Sequence, residues 1–379
     1  MYSANNYLGG TVAKGYNASG DVLVALADGT DPNKIWADLQ KVTAEWNAAR
    51  ESLQGLLTFG ITTPVEHVLQ AFDSGEFEES TEYGEPVGLR PTVEELPLGF
   101  KFKWYDLAAR YTWRYLVDAT SAQVDSVANG ALTSDSRLVF KGVMGALFNN
   151  SRRVNVEGNT VHPLYAGAAG DLPPDHDGES FTDSHNHYVT SGAAVLDQAD
   201  VDALMELVLE HGYGADPASG RLLLFVNRRE GDVVRGFRTV AAGGVGKFDF
   251  IASESAPAYL TTETIVGDKP PTSIGSVPLI GGYGPAWIAE NSLIPKGYVL
   301  AVVSGGDNNQ YNPVGFREHV QPANRGFRLV KGRTPAYPII DSFYVRGFGT
   351  GVRLRGAAAV LQVTASPTYT PPAQFVGAA

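Results

Sequence analysis

The sequence contains no cysteine. That excludes disulfides, thiol nucleophiles, zinc–thiolate sites and iron–sulfur clusters together. Stability must come from packing, chain topology or neighbouring subunits. No run of about 18 apolar residues is present, so no membrane-spanning helix is expected. Met1–Gly10 shows no basic stretch followed by an apolar one, so no signal peptide is expected. Positive charge is in short supply: 29 Lys and Arg stand against 41 Asp and Glu, a formal net charge of −12. A general nucleic-acid binder carries the opposite balance.

What is present suits a folded, turn-rich protein. Of the 379 residues, 44% are hydrophobic and 18% charged, which supplies a core and argues against disorder. Gly (43) and Pro (22) are too frequent for a helical bundle and fit an α+β or β protein.

Charge is unevenly spread. From Glu66 to Glu95 there are nine acidic residues and one basic, Arg90. From Arg317 to Arg355 there are eight basic residues and two acidic. The bland interpretation is two separately solvated faces. The sharper one is that the acidic segment lies on the basic segment of another copy, where complementary charge sets register and speeds encounter.

Hydrophobic spacing outlines the architecture. Residues 1–30 read as an irregular arm. Asp31-Pro32 is a helix start, followed by Ile35, Trp36, Leu39, Val42, Trp46, Leu53, Leu56 and Leu57 at helical spacing. Residues 62–105 are broken by Pro and Gly and flanked by strand-like pieces, Val65–Phe72 and Gly99–Tyr105. They read as a two-stranded projection with an acidic tip. Residues 106–131 are helical in pattern, with a break expected at Gly130 and a new cap at Ser134. Residues 150–198 are polar and irregular. Asp200 is expected to cap a helix through Val208 that Gly212 stops. Leu222–Val226, Tyr298–Val303, Phe327–Val330, Ile339–Val345 and Val352–Val363 read as strands. The end, Ser366–Ala379, is rich in Pro and Ala.

Chemistry is sparse. His185 and His187 would share one face of a strand, as two metal ligands do. A cupin adds a Glu a few residues on, and none occurs between Tyr188 and Ala194. The alternative is a polar loop whose histidines bond backbone. Gly243–Lys247 lacks the first Gly and the Ser/Thr of a phosphate loop, with Ala241 and Phe248 in those places. No G-x-S-x-G elbow is present. No catalytic residue, metal ligand or cofactor is therefore assigned.

The order of elements carries a resemblance. An arm with a helix precedes a Pro-broken loop, and a long helical region follows. Then come Pro173-Pro174 to Phe181, His185-Asn186-His187-Tyr188, and the 201–212 helix entering Leu222–Val226. The close is Tyr337-Pro338-Ile339-Ile340 and Phe348-Gly349-Thr350-Gly351-Val352-Arg353-Leu354-Arg355-Gly356. In this order the chain resembles the major capsid proteins of tailed bacteriophages with the Hong Kong 97-type fold, in particular those of actinobacteriophages. The resemblance implies an N-terminal arm (1–60), an extended loop (61–105), and a spine helix with the first part of a peripheral domain (106–222). It further implies an axial domain (223–324), peripheral strands (325–366) and a tail (367–379).

The resemblance also implies a non-enzymatic coat protein. It would form homo-pentamers and homo-hexamers of an icosahedral shell around packaged double-stranded DNA, assembled in the host cytoplasm. Only some 30 irregular residues precede the first helix, so scaffolding is expected from a separate protein. A portal is expected too, and a decoration protein is admitted. Some relatives link subunits through a Lys of the extended loop. Lys101 and Lys103 sit at its base and its tip has none, so no crosslink is expected. Combining charge and family, Glu76, Glu78, Glu79, Glu82 and Glu85 are expected to meet a basic face of Arg328, Arg333, Arg346, Arg353 and Arg355 on a neighbour. The rivals are an encapsulin-like nanocompartment shell and a metal-dependent enzyme using His185 and His187.

Overall fold

The computed structural model describes residues 23–49, 53–70, 95–214, 220–239, 243–254, 269–333 and 338–377. Its helices are α1 (Pro32–Ala48), α2 (Leu53–Leu57), α3 (Trp113–Asp118), α4 (Ser121–Phe148), α5 (Gln198–Leu209) and α6 (Arg228–Val234). Strands β1 to β7 are Thr58–Ile61, Val65–Leu69, Glu95–Gly99, Lys103–Ala108, Arg153–Val154, Thr160–Val161 and Tyr188–Thr190. Strands β8 to β12 are Arg221–Val226, Phe250–Ala252, Ser273–Ile274, Val277–Tyr283 and Ala286–Glu290. Strands β13 to β17 are Tyr298–Ser304, Val314–Arg317, Phe327–Val330, Phe343–Val352 and Ala358–Gln362. The α+β expectation holds. Two compact units share the chain: 1–48 with 104–135 and 326–346, and 49–103 with 136–325 and 347–379.

In the first unit, Asp31 accepts the Asn33 N–H at 2.8 Å and Pro32 opens α1. Pro32, Ile35, Leu39 and Thr43 form its buried stripe. Ile35 and Leu39 of the stripe join Leu116, Val124, Ala128, Phe327 and Tyr344 in one core. Asn47 takes both backbone groups of Phe327, donating to its carbonyl at 2.7 Å and accepting its N–H at 2.8 Å. That fixes β15, which pairs antiparallel with residues 343–346 of β16.

Two local expectations change. Helix α4 runs unbroken through Gly130, and Ser134 caps nothing: its hydroxyl donates back to the Gly130 carbonyl at 2.8 Å. A Gly inside an exposed helix costs only about 1 kcal/mol, too little to stop a helix that its neighbours propagate. Residues 103–108, expected to straddle a strand and a helix, form β4, exposed along nearly its whole length.

The second unit is built on an eight-stranded sheet in the order β10-β11-β12-β8-β13-β17-β7, with β9 on β11. Strand β8 lies centrally between parallel β12 and antiparallel β13. Covered on both faces, it needs an unalternated apolar run, and Leu222-Leu223-Leu224-Phe225-Val226 is one. Helix α5 adds Val201, Leu204, Met205 and Val208 to this core. Its cap is Asp197 rather than Asp200. Asp200, three residues on, completes a capping box with it. Strand β17, expected among peripheral strands, pairs with β13 of the segment expected to be axial, so the 324/325 boundary is crossed by one sheet.

The base of the expected projection is a true ladder. Strand β2 pairs antiparallel with β3, Val65 opposite Gly99 and Leu69 opposite Glu95. Its tip, with Glu76, Glu78, Glu79, Glu82 and Glu85, lies outside the described residues.

Candidate functional site

Of the five arginines expected on one basic face, two are buried within the fold. Arg355 is 1% exposed and Arg346 5%. Arg355 holds Asp171 with both terminal nitrogens at 2.5 Å, donates Nε to the Pro163 carbonyl at 2.9 Å and covers the Tyr165 ring. Burial disfavours the Asp171 charge, but hydrogen bonds from Arg355 and Arg152 outweigh it and hold the carboxyl below its usual range. Arg346 pairs with buried Asp135, which also accepts the Trp46 indole N–H at 3.1 Å. Both arginines are thus neutralised inside the fold, because an unpaired guanidinium could not be buried there.

The other three differ. Arg353 is nearly buried, donating to Glu66 at 3.1 Å and to the Gln310 carbonyl at 2.6 Å. Glu66 belongs to the acidic stretch, so part of the charge complementarity read from sequence closes within one chain. Arg328 is half-buried over the Trp104 ring. Arg333 is exposed, as is Lys331.

The histidines gather more than expected. Residues 185–187 run extended beside 165–167: Gly167 N–H donates to the His185 carbonyl and His187 N–H to the Tyr165 carbonyl. Alternation then turns both imidazoles to one side. A third, His211, comes from the end of α5, where Gly212 takes φ +77°. The Nε2 atoms of His185, His187 and His211 lie 3.0 Å from one another on all three sides.

His187 is fully buried, and its Nδ1 lies 2.7 Å from the Ala358 carbonyl. A carbonyl only accepts, so Nδ1 carries the proton and Nε2 a lone pair. Burial, with the neighbouring imidazoles, pushes His211 down to about 2. Burial pushes His187 down to about 3, against the Ala358 bond. His185 is lowered by burial as well.

Aromatic rings close the cluster. Phe181 stacks on the His211 ring with centroids 4.3 Å apart, and Tyr165 stacks on the same ring at 5.8 Å. At Gly356 a Cβ would come 2.9 Å from the His211 ring, so the glycine makes room for it. Sequence spacing pointed to His185 and His187 but not to His211, whose only sequence signal is its place at the end of a helix entering a buried strand.

The chain thus combines a long helix, a hairpin base and a mixed sheet around a buried strand. No family model and no curated protein matches its sequence. Among solved structures, a chain from Mycobacterium phage Patience is 38% identical, with a TM-score of 0.69, covering 95% of this chain and 96% of that one. A capsid of an empty GTA particle matches at 15% identity and a TM-score of 0.45, covering 83% of this chain and 91% of that one. The SrpI encapsulin from Synechococcus elongatus matches at 12% and 0.43, covering 85% and 92%. The chain belongs to the major capsid proteins of tailed bacteriophages with the Hong Kong 97-type fold, on the actinobacteriophage side where its 38% identical relative stands. It is a structural protein of the virion capsid.

Proposed function

We propose that this chain is the coat subunit that tiles an icosahedral shell as pentamers and hexamers around double-stranded DNA. Assembly takes place in the host cytoplasm with a separate scaffolding protein and a portal, and leaves room for a decoration protein. The end-to-end likeness to the mycobacteriophage chain supports this.

Surface composition supports it from another side. Trp104, Leu107, Trp113, Tyr115 and Val117 are each at least 39% exposed, within one fourteen-residue stretch of β4 and α3. Apolar surface of this kind marks a site of association. Other copies of the same chain would cover it, and each subunit can rely on many modest contacts because a closed shell makes them simultaneous. No described helix is long and apolar enough to cross a membrane. In this reading no covalent bond links the subunits, so particles boiled in detergent should run as a single band.

The test is negative-stain microscopy of the full chain beside size-exclusion chromatography, with and without its scaffolding protein. Shells, or rings of five or six, are expected. A small closed dimer or trimer under both conditions would overturn the proposal. Shells that hold protein cargo in place of DNA in infected cells would move the chain to the nanocompartment class.

A further inference from the structure

Three imidazole nitrogens at 3.0 Å from each other cannot satisfy one another by hydrogen bonding alone. His187 Nε2 has no proton to give, since its Nδ1–H is spent on Ala358. The remaining Nε2 atoms must supply every donor of the triangle, and a proton on either of them can point well at only one partner. With the protons of His185 and His211 on Nδ1 as well, all three rings turn Nε2 lone pairs towards one point, an arrangement that a cation there would satisfy.

The spacing fits one. The centre of such a triangle is roughly 1.7 Å from each nitrogen, and a zinc–imidazole bond is about 2.0–2.1 Å, so an ion would stand about 1 Å out of the plane. An ideal tetrahedral set asks the nitrogens to open by only about 0.3 Å.

Supporting groups are in place. A ligating histidine typically donates its other ring N–H to a backbone carbonyl or a carboxylate, which is what His187 does at Ala358. Glu210 Oε1 is buried without a hydrogen-bond partner and lies 3.4 Å from His185 Nε2. It is a ready fourth donor if it swings inward, and water is the alternative. Phe181 and Tyr165 pack against the rings and limit solvent access.

We propose that His185, His187 and His211 bind one divalent transition-metal ion of the zinc class, as a structural staple within the second unit. The ion ties the end of α5 to the segment leading into β7 and, through His187, to β17 at the same edge of the sheet. It does no chemistry on a substrate. Imidazole-only first ligands select zinc or a neighbour in the same series over magnesium or calcium, which prefer oxygen. The site is independent of how the subunits assemble.

The test uses the purified full chain, stripped with EDTA and exchanged into chelator-free neutral buffer. Slightly more than one equivalent of zinc chloride is added, the protein is gel-filtered, and metal is counted by mass spectrometry. About one zinc per chain is expected, with a rise of several degrees in melting temperature. His187→Asn and His211→Asn should retain less than a tenth of that, while His319→Ala, outside the cluster, should retain all of it. Cobalt chloride on the wild-type chain should give the intense visible absorption of a four-coordinate site, a readout that needs no variant to fold. Failure of the wild-type chain to retain zinc, a weak six-coordinate cobalt spectrum, or undiminished zinc in folded His187→Asn and His211→Asn chains would each overturn the proposal.

Discussion

Arg355 and Asp171 meet fork to fork inside the second unit, both guanidinium nitrogens at 2.5 Å from the two carboxylate oxygens. The pair is not a surface feature available to a neighbour. Leaving one charge of a buried pair unmatched costs about 3–5 kcal/mol; Arg152, 3.1 Å from Asp171, keeps part of the pairing, so the cost here stands at the lower end of that range. Arg355→Ala should therefore lower the unfolding free energy of the subunit by that order, read by urea denaturation followed by circular dichroism. Arg355→Met with Asp171→Leu should recover much of the loss. A single variant as stable as the wild type would show that the pair contributes nothing.

Two glycines of α4 should respond in opposite directions. Gly130 is exposed, with nothing within 4 Å of where a Cβ would stand. Alanine there should stabilise the chain by roughly 0.5–1 kcal/mol, the ordinary helix-propensity gain. At Gly142 the added methyl would come 2.7 Å from the buried Phe348 ring. Gly142→Ala should destabilise by about 1–3 kcal/mol, as overpacking does. Melting temperatures of the two variants, taken side by side, decide it.

Acid should act through His162. The side chain is buried, and burial, aided by Arg355 and Arg152, lowers it from 6.5 to about 4, with Asp171 pulling the other way. A folded state that prefers the neutral ring binds fewer protons than the unfolded chain between those values. Its stability therefore falls as pH drops from about 6.5 to 4 and levels off below. By pH 4.5 the loss amounts to about 2 kcal/mol. The stability difference between the wild type and His162→Phe should shrink by that amount from pH 7 to pH 4.5. A difference independent of pH would mean that His162 titrates alike in both states.

Much of this fold was legible because its signals are local. The apolar run of β8 announces a strand covered on both faces, and the capping box of α5 lies in its sequence even though its first residue was misplaced by three. What failed depended on partners distant along the chain. Counting charges between residues 317 and 355 could not see Asp135 and Asp171, which absorb Arg346 and Arg355. Nor could it see that Glu66 and Arg353 meet across the base of the hairpin. His211 escaped for the same reason: 24 residues and a helix separate it from His187 in sequence, while only 3.0 Å separates their nitrogens.

Electrostatic docking of the acidic loop on a neighbour is a proposal whose test must use exposed cations. Reversing Arg353 and Arg355 would damage the fold before it reached assembly. Lys331 and Arg333 are the exposed cations of the basic stretch. Exposed ion pairs contribute about 0.2–1 kcal/mol each, so Lys331→Glu with Arg333→Glu should leave the subunit's melting temperature within a degree or two. Multiplied over the contacts of a closed shell, the same change should slow assembly markedly at low salt. At physiological ionic strength charges are screened over about 8 Å, so the gap between variant and wild type should narrow as salt rises. Light scattering of assembling subunits reads both effects. Restored assembly on adding Glu78→Lys and Glu79→Lys would tie the effect to the acidic loop, whereas equal rates for variant and wild type at low salt would remove these charges from the contact.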